Sequence, residues 1–97
     1  MKYEEKPDIE SKNLIDEGFI KPNTKVYASS NEKIEGLLNK DGAIILKIDG
    51  VEKIFPFQSG AARAIVNLSV NGWKFWRIRE NESFVELSEI KKRYMNK

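Results

Sequence analysis

Cysteine and histidine are both missing from the 97-residue chain. Their absence removes disulfides, thiol nucleophiles, imidazole bases and every Cys/His zinc site. Long apolar runs are missing too: none approaches the roughly 20 residues that cross a bilayer. The opening Met1-Lys2-Tyr3-Glu4-Glu5-Lys6 lacks the apolar centre of a signal peptide. A cytoplasmic location with no membrane partner is therefore expected. There is no Gly-x-x-x-x-Gly-Lys loop to cradle phosphates and no Gly-x-Ser-x-Gly. Carboxylate chemistry is what remains, and Glu10-Ser11-Lys12 and Glu89-Ile90-Lys91 match the Glu-x-Lys part of metal-dependent nucleases. Both fall in expected helices with no aspartate on a preceding strand. The expectation is a non-enzyme with no catalytic residues, no metal and no cofactor.

Hydrophobic residues make up 40% and charged residues 33%, the balance of an ordinary globular domain. With no repeat and no Gly/Ser linker, one domain over 1–97 is expected. The net charge of +2 is unevenly placed: residues 1–20 carry three basic and six acidic groups, residues 51–79 five basic and one acidic. That cationic stretch suits a polyanion, although basic residues on a strand are also an ordinary solvated face.

Ile9, Leu14 and Ile15 stand at near-helical spacing, with Asp8 to cap a first helix and Gly18 to end it. Pro22-Asn23 turns the chain into the strand Thr24 to Ala28. Lys40-Asp41-Gly42 and Asp49-Gly50 separate three alternating runs, Ile34/Gly36/Leu38, Ile44/Leu46/Ile48 and Val51/Lys53/Phe55, which predict a β-meander stopped by Pro56. Ser59 to Leu68 changes to helical period, with Ala61, Ala62, Ile65, Val66 and Leu68 on one face and Ser59 as cap. Asn71-Gly72 predicts a tight turn into a strand over Trp73 to Arg79, and Glu86 to Tyr94 predicts a last helix. The sum is an α+β domain: a small antiparallel meander sheet with an N-terminal helix, a central helix after the meander and a C-terminal helix.

The stretch Ser69-Val70-Asn71-Gly72-Trp73-Lys74-Phe75-Trp76, preceded by a helix opening Gln58-Ser59-Gly60-Ala61-Ala62, resembles the signature of the RAMA family, the restriction-enzyme and adenine-methylase associated domain. Leu14-Ile15-Asp16-Glu17-Gly18-Phe19-Ile20-Lys21-Pro22-Asn23-Thr24 resembles the opening of that family. The likeness covers about residues 10–79, leaving 80–97 as a C-terminal helical extension. Asn23 stands where the family usually has glycine, and Gln58-Ser59-Gly60 replaces a more usual Ser-Pro-Ser. The resemblance implies a module joined to methyltransferases and restriction nucleases, with recognition of modified DNA as its suggested role.

In a strand, Trp73 and Phe75 would share one face and Trp76 and Ile78 the other, so either one pair is a binding surface or both faces are buried. Lys74, Arg77 and Arg79 interleave with these rings, with Arg63 and Lys53 on the elements before. Cations neutralise phosphates and a ring stacks a base for roughly 1–3 kcal/mol. Ser59 is either a helix cap or part of a phosphate-holding helix start, and Asn71 either a turn residue at positive φ or an adenine reader. Arg63, Trp73, Lys74, Trp76, Arg77, Lys53, Ser59 and Asn71 are thus the candidate contacts. The reading is a DNA-binding module, with N6-methyladenine DNA as its candidate ligand; the alternative is a protein-interaction module docking on a methyltransferase or nuclease. A methyl group buried in an apolar groove supplies only about 0.8 kcal/mol, so sharper selection requires an aromatic pocket around a flipped base.

Overall fold

A computed structural model describes residues 10–96, so the expected cap Asp8 and the first apolar position Ile9 lie outside the described residues. The elements are α1 (Ser11–Asp16), β1 (Thr24–Ala28), β2 (Asn31–Leu38), β3 (Ile44–Ile48), β4 (Val51–Phe55), α2 (Gln58–Val66), α3 (Gly72–Phe75), β5 (Trp76–Glu80), β6 (Ser83–Glu86) and α4 (Leu87–Met95). The strands form one antiparallel sheet in the order β4-β3-β2-β1-β5-β6. The fold is α+β.

The turns follow from residues that tolerate left-handed backbone. Asp49 and Gly50 take φ of 52° and 78°, the primed turn whose twist matches a hairpin, and join β3 to β4. Asn23 takes φ of 64°, which explains how asparagine serves at this turn in place of glycine. Pro56 ends β4 as expected, and β4 is an edge strand.

Alternation decides the faces. Val26, Ala28, Leu38, Ile44, Leu46, Trp76 and Ile78 point to one side and are buried in a single cluster with Leu14, Ile15, Ala61, Ala62, Phe75, Leu87 and Ile90 from the helices. The opposite side carries Tyr27, Leu37, Ile45 and Phe84, half-buried, beside Lys25, Lys47, Arg77 and Arg79. An antiparallel sheet can leave one such face to water.

Three expectations are corrected. α2 begins at Gln58 after an extended Phe57, because Pro56 has already turned the chain, so Ser59 lies inside the helix and does not cap it. Leu68 is 58% exposed, since Asn67 at φ of 60° ends the helix before it. The strand expected from Trp73 starts only at Trp76; Gly72–Phe75 is a single helical turn. The short β6 was not foreseen, because four residues after the Asn81 turn are too few to show a period.

Arg93 forms a forked ion pair with Glu80, at 2.7 and 3.2 Å, joining α4 to the end of β5. The hydrogen bond from Arg93 holds the Glu80 carboxyl below its ordinary 4.5. A lowered folded-state value stabilises above the unfolded value and is lost as pH falls through the folded one. Acid melts should therefore show Glu80→Gln and the parent converging as pH falls below 4.5 and through the lowered value of Glu80, from a difference of about 0.5–1 kcal/mol at neutral pH for so exposed a pair. A gap that persists at acid pH would show the pair contributes nothing.

Candidate functional site

Two close approaches shape the site. A Cβ on Gly42 would stand 2.6 Å from the backbone nitrogen of Lys12, and one on Gly72 2.5 Å from the Gln58 Cβ. The lack of side chains lets the β2–β3 turn press on α1, and the start of α3 on the start of α2. The first turns of α1, α2 and α3 thus meet around a cavity of about 370 Å³, within the range of small-ligand sites. Ser11 and Lys12 line it from α1, Asp41 and Gly42 from the turn, Gln58 and Ser59 from α2 with Phe57 just before it, and Trp73 from α3 with its cap Asn71.

Gln58 is where these elements join. Its Nε2 donates to the Ser11 hydroxyl, its backbone carbonyl accepts from the Trp76 indole Nε1 at 3.0 Å, and the residue is only 8% exposed. Its Oε1 is shielded from water and has no hydrogen-bond partner within the protein. The wall around it carries the carboxylates of Glu10 and Asp41 against the ammonium of Lys12. Lys12 is itself committed to Asp16 at 2.7 Å, and that hydrogen bond is the main reason its pKa is raised. The cavity wall is therefore not cationic, and repels a phosphate more than it holds one.

The structure brings together some of the residues expected to form the site and separates others. Ser59, Asn71 and Trp73 line the cavity. Arg63 borders a smaller hollow of about 230 Å³ that shares Ser59 and Val70 with it, and donates to Ser69 Oγ at 2.6 Å. Lys74 is exposed on α3. Trp73 is half-buried, with the Lys91 ammonium 4.8 Å from its ring centre, so its cation neighbour comes from α4 and not from β5.

Asn71 departs from the positive-φ turn. With φ of −76° it caps α3, its Oδ1 accepting from the Trp73 backbone N–H at 2.9 Å. Trp76 is fully buried, because β5 opens with this side chain facing the core opposite the small Ala28, and its indole belongs to the core and not to the surface. Arg77 points from the other side of the sheet, over the Phe84 ring at 5.2 Å; adjacent strand residues alternate, so it cannot flank the same surface. Lys53 lies on β4, with three strands between it and β5, a span of about 19 Å at ordinary strand spacing.

Gln58, Phe57, Ser11 and Lys12 were not foreseen. Gln58 carried a signal: it stands three and four residues before Ala61 and Ala62, a polar side chain on the apolar face of α2. The others left none, since their approach depends on Gly42 and on the packing of α1.

Among the described residues, no helix is long and apolar enough to cross a membrane, and no group of three or more His, Cys, Asp or Glu side chains could hold a metal. Compared with known families, residues 2–97 match the model of RAMA, Restriction Enzyme Adenine Methylase Associated. That span extends beyond the signature stretches at both ends. No curated protein matches the chain.

Proposed function

The chain belongs to the RAMA family, whose name ties it to restriction enzymes and adenine methylases, and from that premise we propose that it is a non-catalytic DNA-binding module of a restriction or modification system. The observation that carries the proposal is the cavity lined by Phe57 and Trp73, next to a smaller hollow lined by Arg63 with which it shares Ser59 and Val70. Arg63 and Lys74 contact phosphates, while the cavity, with two carboxylates in its wall, receives an uncharged base. A base read for modification fits this division: aromatic walls supply stacking that the burial of one methyl group alone does not. The adenine methylases in the family's name support N6-methyladenine as that base.

The test is fluorescence anisotropy of labelled duplexes, with and without N6-methyladenine, at low and moderate salt. Binding should weaken as salt rises, and Arg63→Ala with Lys74→Ala should lower the salt slope by about 0.9 for each phosphate left without its cation. Trp73→Ala should weaken binding without changing that slope. Salt-insensitive behaviour, or no binding to either duplex at low salt, would overturn the proposal.

A second reading is favoured by β4, an edge strand on which Val51 and Ile54 are 56% and 63% exposed. An edge of that kind accepts a strand from a methyltransferase or nuclease partner. Loss of binding to both duplexes together with retention of the module on such an enzyme would move the assignment there.

A further inference from the structure

Buried polar atoms are nearly always hydrogen-bonded, and one left without a partner costs the full desolvation of that group. Gln58 Oε1 is such an atom, on a residue more than nine-tenths buried that forms part of the cavity wall. Its geometry is held from three sides. Ser11 Oγ accepts from its Nε2, the Trp76 indole grips its backbone carbonyl, and Gly72 lies against its Cβ. These contacts hold the glutamine against the cavity; water does not reach its oxygen in the free chain, so a donor on a ligand pairs with it as the wall beside it yields.

The ligand must therefore offer an N–H or O–H. The first turn of α2 adds the opposite group: its N-cap, Phe57, supplies no side-chain acceptor, so the leading N–H groups of the helix are free of a side-chain cap and can donate to an acceptor on a ligand. Glu10 and Asp41 in the wall argue against an anion filling that role. A flat, neutral ring with an acceptor nitrogen and an exocyclic amine serves both groups and stacks on Trp73 or Phe57. Inside a duplex such an edge is paired, so it reaches a cavity bounded by helix starts only when the nucleotide is extruded.

Resting on the DNA-binding reading, we propose that Gln58 is the specificity-determining residue of this site, its Oε1 accepting the exocyclic N–H of an extruded base that carries an unsubstituted or singly methylated amine. The oxygen rejects a base whose amine is doubly methylated, because the acceptor then stays unpaired and meets a methyl group. It also rejects a base with a carbonyl at that position, because two acceptors then face each other.

The experiment uses duplexes with adenine, N6-methyladenine, N6,N6-dimethyladenine or hypoxanthine at one central position, titrated by anisotropy with the full chain and with Gln58→Leu. The full chain should prefer the two bases that retain an N–H over the other two by about tenfold, the usual penalty of leaving a buried polar group unpaired. Gln58→Leu should bind all four alike with an unchanged salt slope. Should Gln58→Leu fail to fold, the Gln58 side-chain amide resonances of the unaltered chain serve instead: they should shift with the N–H-bearing duplexes and stay put with the dimethyl one. Equal binding of all four duplexes by the full chain, or a preference that survives in Gln58→Leu, overturns the inference and leaves the DNA-binding reading standing. A preference for hypoxanthine would mean that the amide presents its N–H to the ligand, and overturns the inference as well. Absence of binding to every duplex overturns both.

Discussion

Trp76→Ala should lower the melting temperature by roughly 12–40 °C, the shift expected from about 3–5 kcal/mol in a domain of this size. The indole is fully buried, meets the Phe75 ring edge-on at 5.0 Å between centres, and donates to the Gln58 carbonyl at 3.0 Å. Truncation empties a cavity that neither the cross-strand Ala28 nor the small Ala61 and Ala62 can fill, and strips a buried carbonyl of a donor. Trp76→Phe keeps most of the apolar volume and should fall between. Thermal melts followed by circular dichroism give the answer. A loss below about 0.5 kcal/mol, typical of a surface position, would mean that the indole is accessible after all and would return Trp76 to the binding surface.

Gly72→Ala should destabilise by about 2–3 kcal/mol, the cost of forcing an extra methyl into a packed contact. Besides the Gln58 Cβ at 2.5 Å, the new methyl would meet the Gln58 carbonyl carbon and the Ser59 nitrogen, both at 2.7 Å. Two of these three atoms are backbone of α2 and cannot rotate away, so α3 must lift off α2 and open the cavity between them. Gly60→Ala is the control with the opposite sign. Gly60 is also helical, but a Cβ there has nothing within 4 Å, so alanine should stabilise by about 0.4–1 kcal/mol through the smaller entropy of its unfolded chain. If both substitutions stabilise, the close approach of α3 to α2 is wrong, and the cavity built on it goes too. In folded protein, Gly72→Ala should also reduce binding of duplex DNA more than its loss of stability accounts for, because Gln58 and Trp73 no longer face one space.

Much of this architecture was legible because it depends on short-range patterns. The three alternating runs and the turns at Asp41-Gly42 and Asp49-Gly50 specify β2, β3 and β4 as a meander, and Pro56 stops it. The change of period after Gln58 specifies α2, and the spacing of Leu87, Ile90 and Tyr94 specifies α4. The stretch Asn71 to Trp76 misled for a reason that is equally local. Asparagine-glycine serves a hairpin turn or a helix start, and which one wins depends on whether the following residues gain more from a strand or from one helical turn. Here Gly72 fits against Gln58 only if the chain coils, and coiling is what sends Phe75 and Trp76 into the core together.

The candidate site divides along the same line. Ser59, Asn71, Trp73 and Arg63 were found from residue type and gather at the cavity and its neighbour. Arg77 and Lys53 were grouped with them by proximity in sequence, and the sheet carries them to a different face and a different edge.

The sequence alone thus determined the family, the α+β class and most elements, because periodicity, turn chemistry and the Ser69–Trp76 signature act over a few residues. Only the tertiary structure decided which indole is core and which lines a cavity, and only it set Gln58 against Ser11 across 47 residues of chain. The physical reason is that burial and an unpaired acceptor are properties of what several distant segments do to one another, and no local pattern records them.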